Sequence, residues 1–309
     1  MHPGHQHEPT RAHQRRALVW VLVVNALYTA IEIVAGLAFD SLALLADAAH
    51  MATDVAALGV ALFAHRLVER PVSERHSYGL VRAEVLGASI NALLLMAASV
   101  WIVVEAAGRI GSPADVDGAG AVVVATIGLA VNLVSALVLS RSAGQSLNMR
   151  GALLHMVADA VGSVGAIAAG VIVVVWSADR ADPIVSVGIA ALVAWSAWRL
   201  LKEATHVLLE GTPAGVDPGA VVGALRDDVD VEEVHHVHLW SLASDVPALS
   251  AHVVLKGEMT LHEAQLHGER LKRLLRERFR IDHSTLELEC HACDPPVDVV
   301  VTAETEGSS

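Results

Sequence analysis

The chain has 309 residues, of which 54% are hydrophobic, 18% charged and 4% aromatic, with two cysteines and a formal net charge of −13. That is more apolar and less charged than a soluble globular protein, and two cysteines exclude a disulfide scaffold. The acidic balance and 17 histidines argue against nucleic acid as a partner and suit a protein that handles cations.

Charge-free windows of about the 20 residues that a bilayer span needs fall at 85–104, 118–140 and 160–178. Slightly shorter ones lie at 17–31 and 183–198, and 41–64 is apolar except for Asp47, His50 and Asp54. Six transmembrane helices are therefore expected near 17–38, 41–65, 83–108, 118–140, 151–177 and 183–205, with Pro183 in the first turn of the last. Residues 1–16 read as a cytoplasmic segment holding His2, His5, His7 and His13. Arg66, Arg70, Arg75 and Arg82 sit in the 2–3 connection, and Arg141 and Arg150 in the 4–5 connection. The opposite side has only Arg109 and Arg180, so both termini are expected in the cytoplasm. Richness in Ala, Val and Arg with little Lys suggests a bacterium, and hence its inner membrane.

Beyond residue 211 the pattern changes. A helix is expected over 217–229, with Asp217 as its cap and Pro218 at its first position. Strands are expected at 234–242 and 249–255, with Pro247 in the turn between them, then a helix over 260–279 opened by a Thr260/Glu263 capping box. A last strand is expected at 283–290. The fold class is thus an α-helical membrane protein: a six-helix domain over 17–211, then a small cytoplasmic α+β domain of order α-β-β-α-β over 212–293. Residues 294–309 lack a core pattern and read as a disordered tail.

The few ionisable residues in the spans carry the functional signal, because each is expensive there. His50 and Asp54 are four apart, and His155 and Asp159 repeat that spacing in the fifth span. Brought to one centre, the four supply two imidazoles and two carboxylates, an N₂O₂ set that suits Zn²⁺ and becomes neutral once the ion binds. A single pair reads equally well as a local hydrogen bond; the repetition favours a metal centre. Asn25, Glu32 and Asp47 read as helix-packing residues or as part of a proton path, and Asn91, Asn132 and Ser163 as interhelical hydrogen bonds.

In the tail, Cys290 and Cys293 form a lone C-x-x-C after a strand. Glu287 and Glu289 precede it, and His235, His238 and His252 lie on neighbouring strands. A regulatory zinc site is expected there, with the cysteines among its ligands. Strict strand alternation puts His236 and His238 on one face and His235 on the other. The basic run from Arg270 to Arg280 reads as a solvated helix face.

With these residues in hand, the chain resembles the cation diffusion facilitator family, in particular its bacterial zinc, cadmium and cobalt exporters. The matching segments are 41–54 (SLALLADAAHMATD), 75–79 (RHSYG), 82–84 (RAE), 148–159 (NMRGALLHMVAD), 208–213 (LLEGTP) and 235–242 (HHVHLWSL). The resemblance implies a transport site at His50, Asp54, His155 and Asp159 between the second and fifth helices. It also implies a metallochaperone-like cytoplasmic domain, a homodimer, and metal leaving the cytoplasm as protons enter. The accessory site some members build on the histidine at His76 lacks its second histidine here, where Leu80 stands.

The expected function is export of Zn²⁺, with Cd²⁺ or Co²⁺ as further substrates, by a proton antiporter in the lipid bilayer. It is a secondary transporter rather than an enzyme, with zinc as substrate and as regulatory ligand. The rival readings are a membrane-anchored metal sensor and an intramembrane metalloenzyme; no H-E-x-x-H occurs to support the latter.

Overall fold

The computed structural model describes residues 8–38, 42–111, 118–144, 146–176 and 181–291. The side chains of 42–50, among them Asp47 and His50, lie outside the described residues. So do His2, His5, His7, Cys293 and the expected tail 294–309. The chain divides into two compact units, Met1–Thr205 and His206–Ser309.

The first unit is helical: α1 (Glu8–Ala38), α2 (Leu42–Val68), α3 (Ala83–Gly111), α4 (Gly118–Ser140), α5 (Leu147–Trp176) and α6 (Ala181–Leu208). Within the described residues, Arg11–Val34, Met51–Val68 and Ala83–Gly108 are long and apolar enough to cross a membrane, and Thr126–Ser140 is a shorter apolar helix. Leu18 and Val21 of α1 bury against Leu58 and Ala61 of α2, Leu139 of α4 and Met149 and Met156 of α5. Leu27, Ile31, Val34, Phe63, Trp101, Val104 and Trp195 point outward. An apolar exterior on that scale fits contact with lipid rather than water.

Two helices start earlier than the hydropathy windows suggest, because polar contacts extend them. Helix α1 begins at Glu8: the Arg11 carbonyl lies 3.0 Å from His65 Nε2, Gln14 donates to the Ala143 carbonyl at 3.4 Å, and Arg15 pairs with Glu69 at 3.1 Å. Helix α5 begins at Leu147, and the Ser146 hydroxyl accepts from the Met149 N–H at 3.2 Å, the bond of an N-cap.

Between α2 and α3, α5 is admitted by the absence of side chains. A Cβ on Gly87 would stand 2.6 Å from Ala64 Cβ and 2.7 Å from Asn148 Oδ1. Asn148 in turn donates to the Ala61 carbonyl at 2.8 Å.

The second unit holds α7 (Pro218–Arg226), β1 (Val231–Ala243), β2 (Val246–Leu255), α8 (Leu261–Phe279) and β3 (His283–Glu289), the expected α-β-β-α-β order. Asp217 caps α7 with Pro218 at its first position, but the helix stops at Asp227, short of residue 229. Strands β1 and β2 pair antiparallel, and β3 pairs parallel to β2 after the α8 crossover. Val221 and Leu225 of α7 and Leu271 and Leu275 of α8 pack on Leu249, Ala251 and Val253 of the sheet. The Thr260/Glu263 capping box is formed, and α8 ends at Arg280 in the left-handed conformation.

Pro247 is not in the turn. The turn is Ser244-Asp245, and Pro247 lies in β2 opposite Ser241. It is tolerated because β2 meets β3 only from Ala248 onward and the ladder shifts register between Ser241 and Ala243. The Ser241 N–H donates instead to the Gly211 carbonyl at 3.2 Å.

Candidate metal centres

Helices α2 and α5 bring Asp54 and His155 together. His155 Nε2 lies 3.0 Å from Asp54 Oδ1 and 3.9 Å from Asp159 Oδ2. One ligand atom from each of the three falls within 4.8 Å of the others. Asp54 is 1% exposed, and Asp54 Oδ2 and His155 Nδ1 have no hydrogen-bond partner among the described residues. Two buried, uncommitted ligand atoms beside a third group are what a metal needs and what a packed helix pair avoids. His50 is on α2 four residues before Asp54, and its side chain lies outside the described residues.

The other intramembrane polar residues divide. Asn25 is buried and donates to Ser135 Oγ at 3.1 Å, joining α1 to α4, and to its own Val21 carbonyl at 2.8 Å. Glu32 shares that buried face, and Asp47 lies outside the described side chains. Ser163 donates to the Asp159 carbonyl of its own helix at 2.9 Å, so it is not an interhelical bond. Nor is Asn91, whose amide has no hydrogen-bond partner among the described residues.

The second centre is on the sheet of the small unit. His235, His236 and His252 each offer a ring nitrogen within 4.8 Å of the others, and a His252 nitrogen and one carboxylate oxygen each from Glu287 and Glu289 also lie within 4.8 Å of one another. The three rings stand 4.9 to 5.7 Å apart between centroids. His252 Nδ1 lies 2.8 Å from Glu289 Oε1, His252 Nε2 3.4 Å from Glu287 Oε2, and His235 Nε2 3.4 Å from Glu289 Oε2. Glu289 is 7% exposed.

Alternation along β1 misplaces one of these histidines. His236 has φ +49°, and the β1–β2 register shifts between His235 and His238. This bulge turns His236 to the side of His235 and His252, while His238 pairs opposite Ser250 and stays exposed. The adjacent His235-His236 in a strand of otherwise alternating residues was the only sequence cue. Cys290 is exposed, with Sγ 3.2 Å from His291 Nδ1, and belongs to neither group. His76 is likewise exposed in the loop before α3 and joins no such group among the described residues.

Asp228, Asp230 and His267 also cluster. That cluster already holds a cation: Arg270 lies 3.2 Å from Asp228 Oδ2 and 2.8 Å from Asp230 Oδ2. Arg276 pairs with Asp282 at 2.8 Å. Two members of the basic run are therefore engaged within the domain rather than only solvated.

An apolar helical bundle that buries a His/Asp cluster, followed by a small αβ domain, has the make-up of a polytopic membrane protein. Residues 18–209 match the family described as the cation efflux transmembrane domain, and residues 213–291 the cation efflux protein cytoplasmic domain. The chain is 36% identical to the zinc transporter ZitB of Escherichia coli over 300 residues, 95% of each chain. It is 33% identical to a cadmium, cobalt and zinc/H(+)-K(+) antiporter of Bacillus velezensis, covering 98% of this chain and 97% of that one. It is 36% identical to the metal cation efflux system protein CzcD of Cupriavidus metallidurans, covering 95% and 92%. The chain belongs to the cation efflux, or cation diffusion facilitator, family. It is a multi-pass membrane transporter of metal cations and not an enzyme, which removes the intramembrane metalloenzyme.

Proposed function

We propose that the protein exports Zn²⁺ from the bacterial cytoplasm across the inner membrane in exchange for protons, at a centre made of His50, Asp54, His155 and Asp159 between α2 and α5. The observation that carries this reading is the cross-helix contact of Asp54 with His155, with Asp159 beside it and ligand atoms left over. Three relatives whose names include zinc transport or metal efflux support the substrate, and the name of one of them supports exchange against H⁺. The coupling follows from ligand chemistry. Zinc requires neutral imidazoles and ionised carboxylates, so protons and metal compete for the same atoms. A site that turns from a near-neutral cytoplasm to a more acidic exterior releases one and loads the other. Cd²⁺ and Co²⁺ are further substrates on this reading, since N/O sites hold them with similar geometry.

Both termini are cytoplasmic on the arginine distribution of the loops. Residues 17–211 form the membrane domain and 212–293 the cytoplasmic one, through which the protein is a homodimer. There His235, His236, His252, Glu287 and Glu289 hold a regulatory zinc. Zinc uptake by inside-out vesicles is the test: Asp54→Ala or Asp159→Ala abolishes it, and undiminished pH-driven uptake by those variants overturns the assignment.

A further inference from the structure

Asn91 of α3 and Asn148 in the first turn of α5 are both wholly buried. Asn148 uses its amide N–H on the Ala61 carbonyl, yet among the described residues its Oδ1 has no partner, and Asn91 has none for either Oδ1 or Nδ2. A buried carboxamide without hydrogen bonds destabilises the fold, and helix packing alone does not ask for it. The two asparagines share one seam. A Cβ on Gly151 would stand 3.5 Å from Asn91 Cβ and 3.4 Å from Leu200 Cδ2, and Asn148 Oδ1 faces Gly87 across the same α3–α5 contact. Along α5, Asn148, the Gly151 contact with Asn91, and His155 follow at steps of three and four residues, about one turn each. They lead from the amino-terminal end of α5 to the Asp54/His155/Asp159 centre.

We propose that Asn91 and Asn148 form a carboxamide way-station through which the divalent cation passes between the cytoplasm and that centre. The inference rests on the transport reading above and on its orientation, which puts the start of α5 on the cytoplasmic side. A carboxamide oxygen is a neutral, hard ligand that replaces part of a divalent ion's water shell. It binds weakly, which suits a place the ion must leave, and an empty neutral station leaves no bare charge in a low-dielectric interior. Here Ala64, Gly87, Ala88 and Gly151 close the seam around the two side chains. Parting α3 from α5 turns the idle oxygens toward the gap.

The experiment uses the full-length protein in inside-out vesicles, with Zn²⁺ alone as the probe. Initial uptake rate is measured against zinc concentration for wild type, the near-isosteric Asn91→Leu, and Asn91→Ser. Thermal unfolding and equilibrium zinc binding are measured in detergent. Asn91→Leu is expected to keep or raise Tm, because it removes an unpartnered amide, and to keep the equilibrium affinity. The zinc concentration for half-maximal uptake rises about tenfold, the factor that corresponds to about 1.4 kcal/mol, at an unchanged maximal rate. Asn91→Ser retains an oxygen and falls between the two.

Wild-type half-saturation in both variants overturns the way-station. So does a lowered Tm with unchanged half-saturation, which marks Asn91 as a packing residue. Asp54→Ala is run alongside. Normal transport by that variant sinks the transport reading itself, whereas its loss beside a wild-type Asn91→Leu sinks only the way-station.

Discussion

His155 Nε2 lies 3.0 Å from Asp54 Oδ1, so two residues 101 apart in the chain fix α5 against α2 in the membrane unit. Asp54 is buried and His155 is its hydrogen-bond partner. His155→Ala leaves that carboxyl without its donor, and is expected to lower stability by about 1–3 kcal/mol. His155→Gln restores an amide donor and most of the stability but offers no imidazole nitrogen. Thermal unfolding should therefore separate the two variants, while zinc uptake by vesicles should be lost in both.

Gly87→Ala is expected to be more damaging than a single methyl suggests. Its Cβ meets Ala64 Cβ at 2.6 Å and Asn148 Oδ1 at 2.7 Å, so α2, α3 and α5 must separate. Overpacking of this kind costs about 1–3 kcal/mol. Adding Ala64→Gly removes one of the two clashes and should recover part of the loss in Tm. A loss of Tm in the double variant equal to the sum of the separate losses would show that the two side chains do not meet.

On the sheet of the small unit, the His/Glu cluster stands apart from Cys290. In full-length protein with Asp54→Ala to silence the membrane centre, His252→Ala is expected to reduce bound zinc, measured by equilibrium dialysis. Cys290→Ser should leave it unchanged, since Cys290 stands apart from both groups. His236→Gly keeps the left-handed backbone at little steric cost and removes only the imidazole, so it should weaken binding without loss of Tm.

The first turn of α8 should be pH-dependent. The Thr260 N–H, and then its hydroxyl, hold the Glu263 carboxyl below its ordinary value of 4.5. A group depressed in the folded state stabilises above its unfolded pKa and loses that contribution as pH falls through the folded one. The protection factor of the Glu263 amide, whose N–H donates to Thr260 Oγ1, is expected to hold above about pH 4.5 and to fall below it. Glu263→Gln should remove most of that dependence.

The helices were legible because lipid imposes long uncharged windows, and the His50/Asp54 and His155/Asp159 spacing because four residues make one turn. Spacing says which groups share a face of one helix, but Asp54 and His155 meet across two. That contact depends on Gly87 and Ala64 letting the helices close, and periodicity carries no such information. The α1 extension to Glu8 was hidden because Gln14 and Arg15 look like solvent-facing residues until their partners Ala143 and Glu69 are known.

In the small unit, the capping box and element order followed from local chemistry. Pro247 and His236 did not. Each sits beside a register shift, and one extra residue inverts every facing assignment downstream of it. Spacing singles out Cys290-x-x-Cys293, of which Cys293 lies outside the described residues, whereas the His and Glu side chains that converge come from three separate strands.

The polar bonds between helices are unevenly shared. Arg15–Glu69 and the His65 contact tie α1 to α2, Gln14 reaches the turn after α4, Asn25 holds Ser135 of α4, and Asn148 and His155 hold α5 to α2. Helix α3 meets α5 through Gly87, Ala88, Gly151 and an Asn91 with nothing to release, while Arg150–Glu203, which joins α6 to α5, is exposed and weakly binding. Around Asn91, among the described residues, α3 is thus held by packing rather than by that side chain's hydrogen bonds. Among the described residues, sliding α3 past α5 breaks no hydrogen bond of Asn91, whereas parting α2 from α5 would separate Asp54 from His155. A transporter whose helices shift while Asp54 and His155 stay in contact gains from having its lubricated face and its stitched face on different helices.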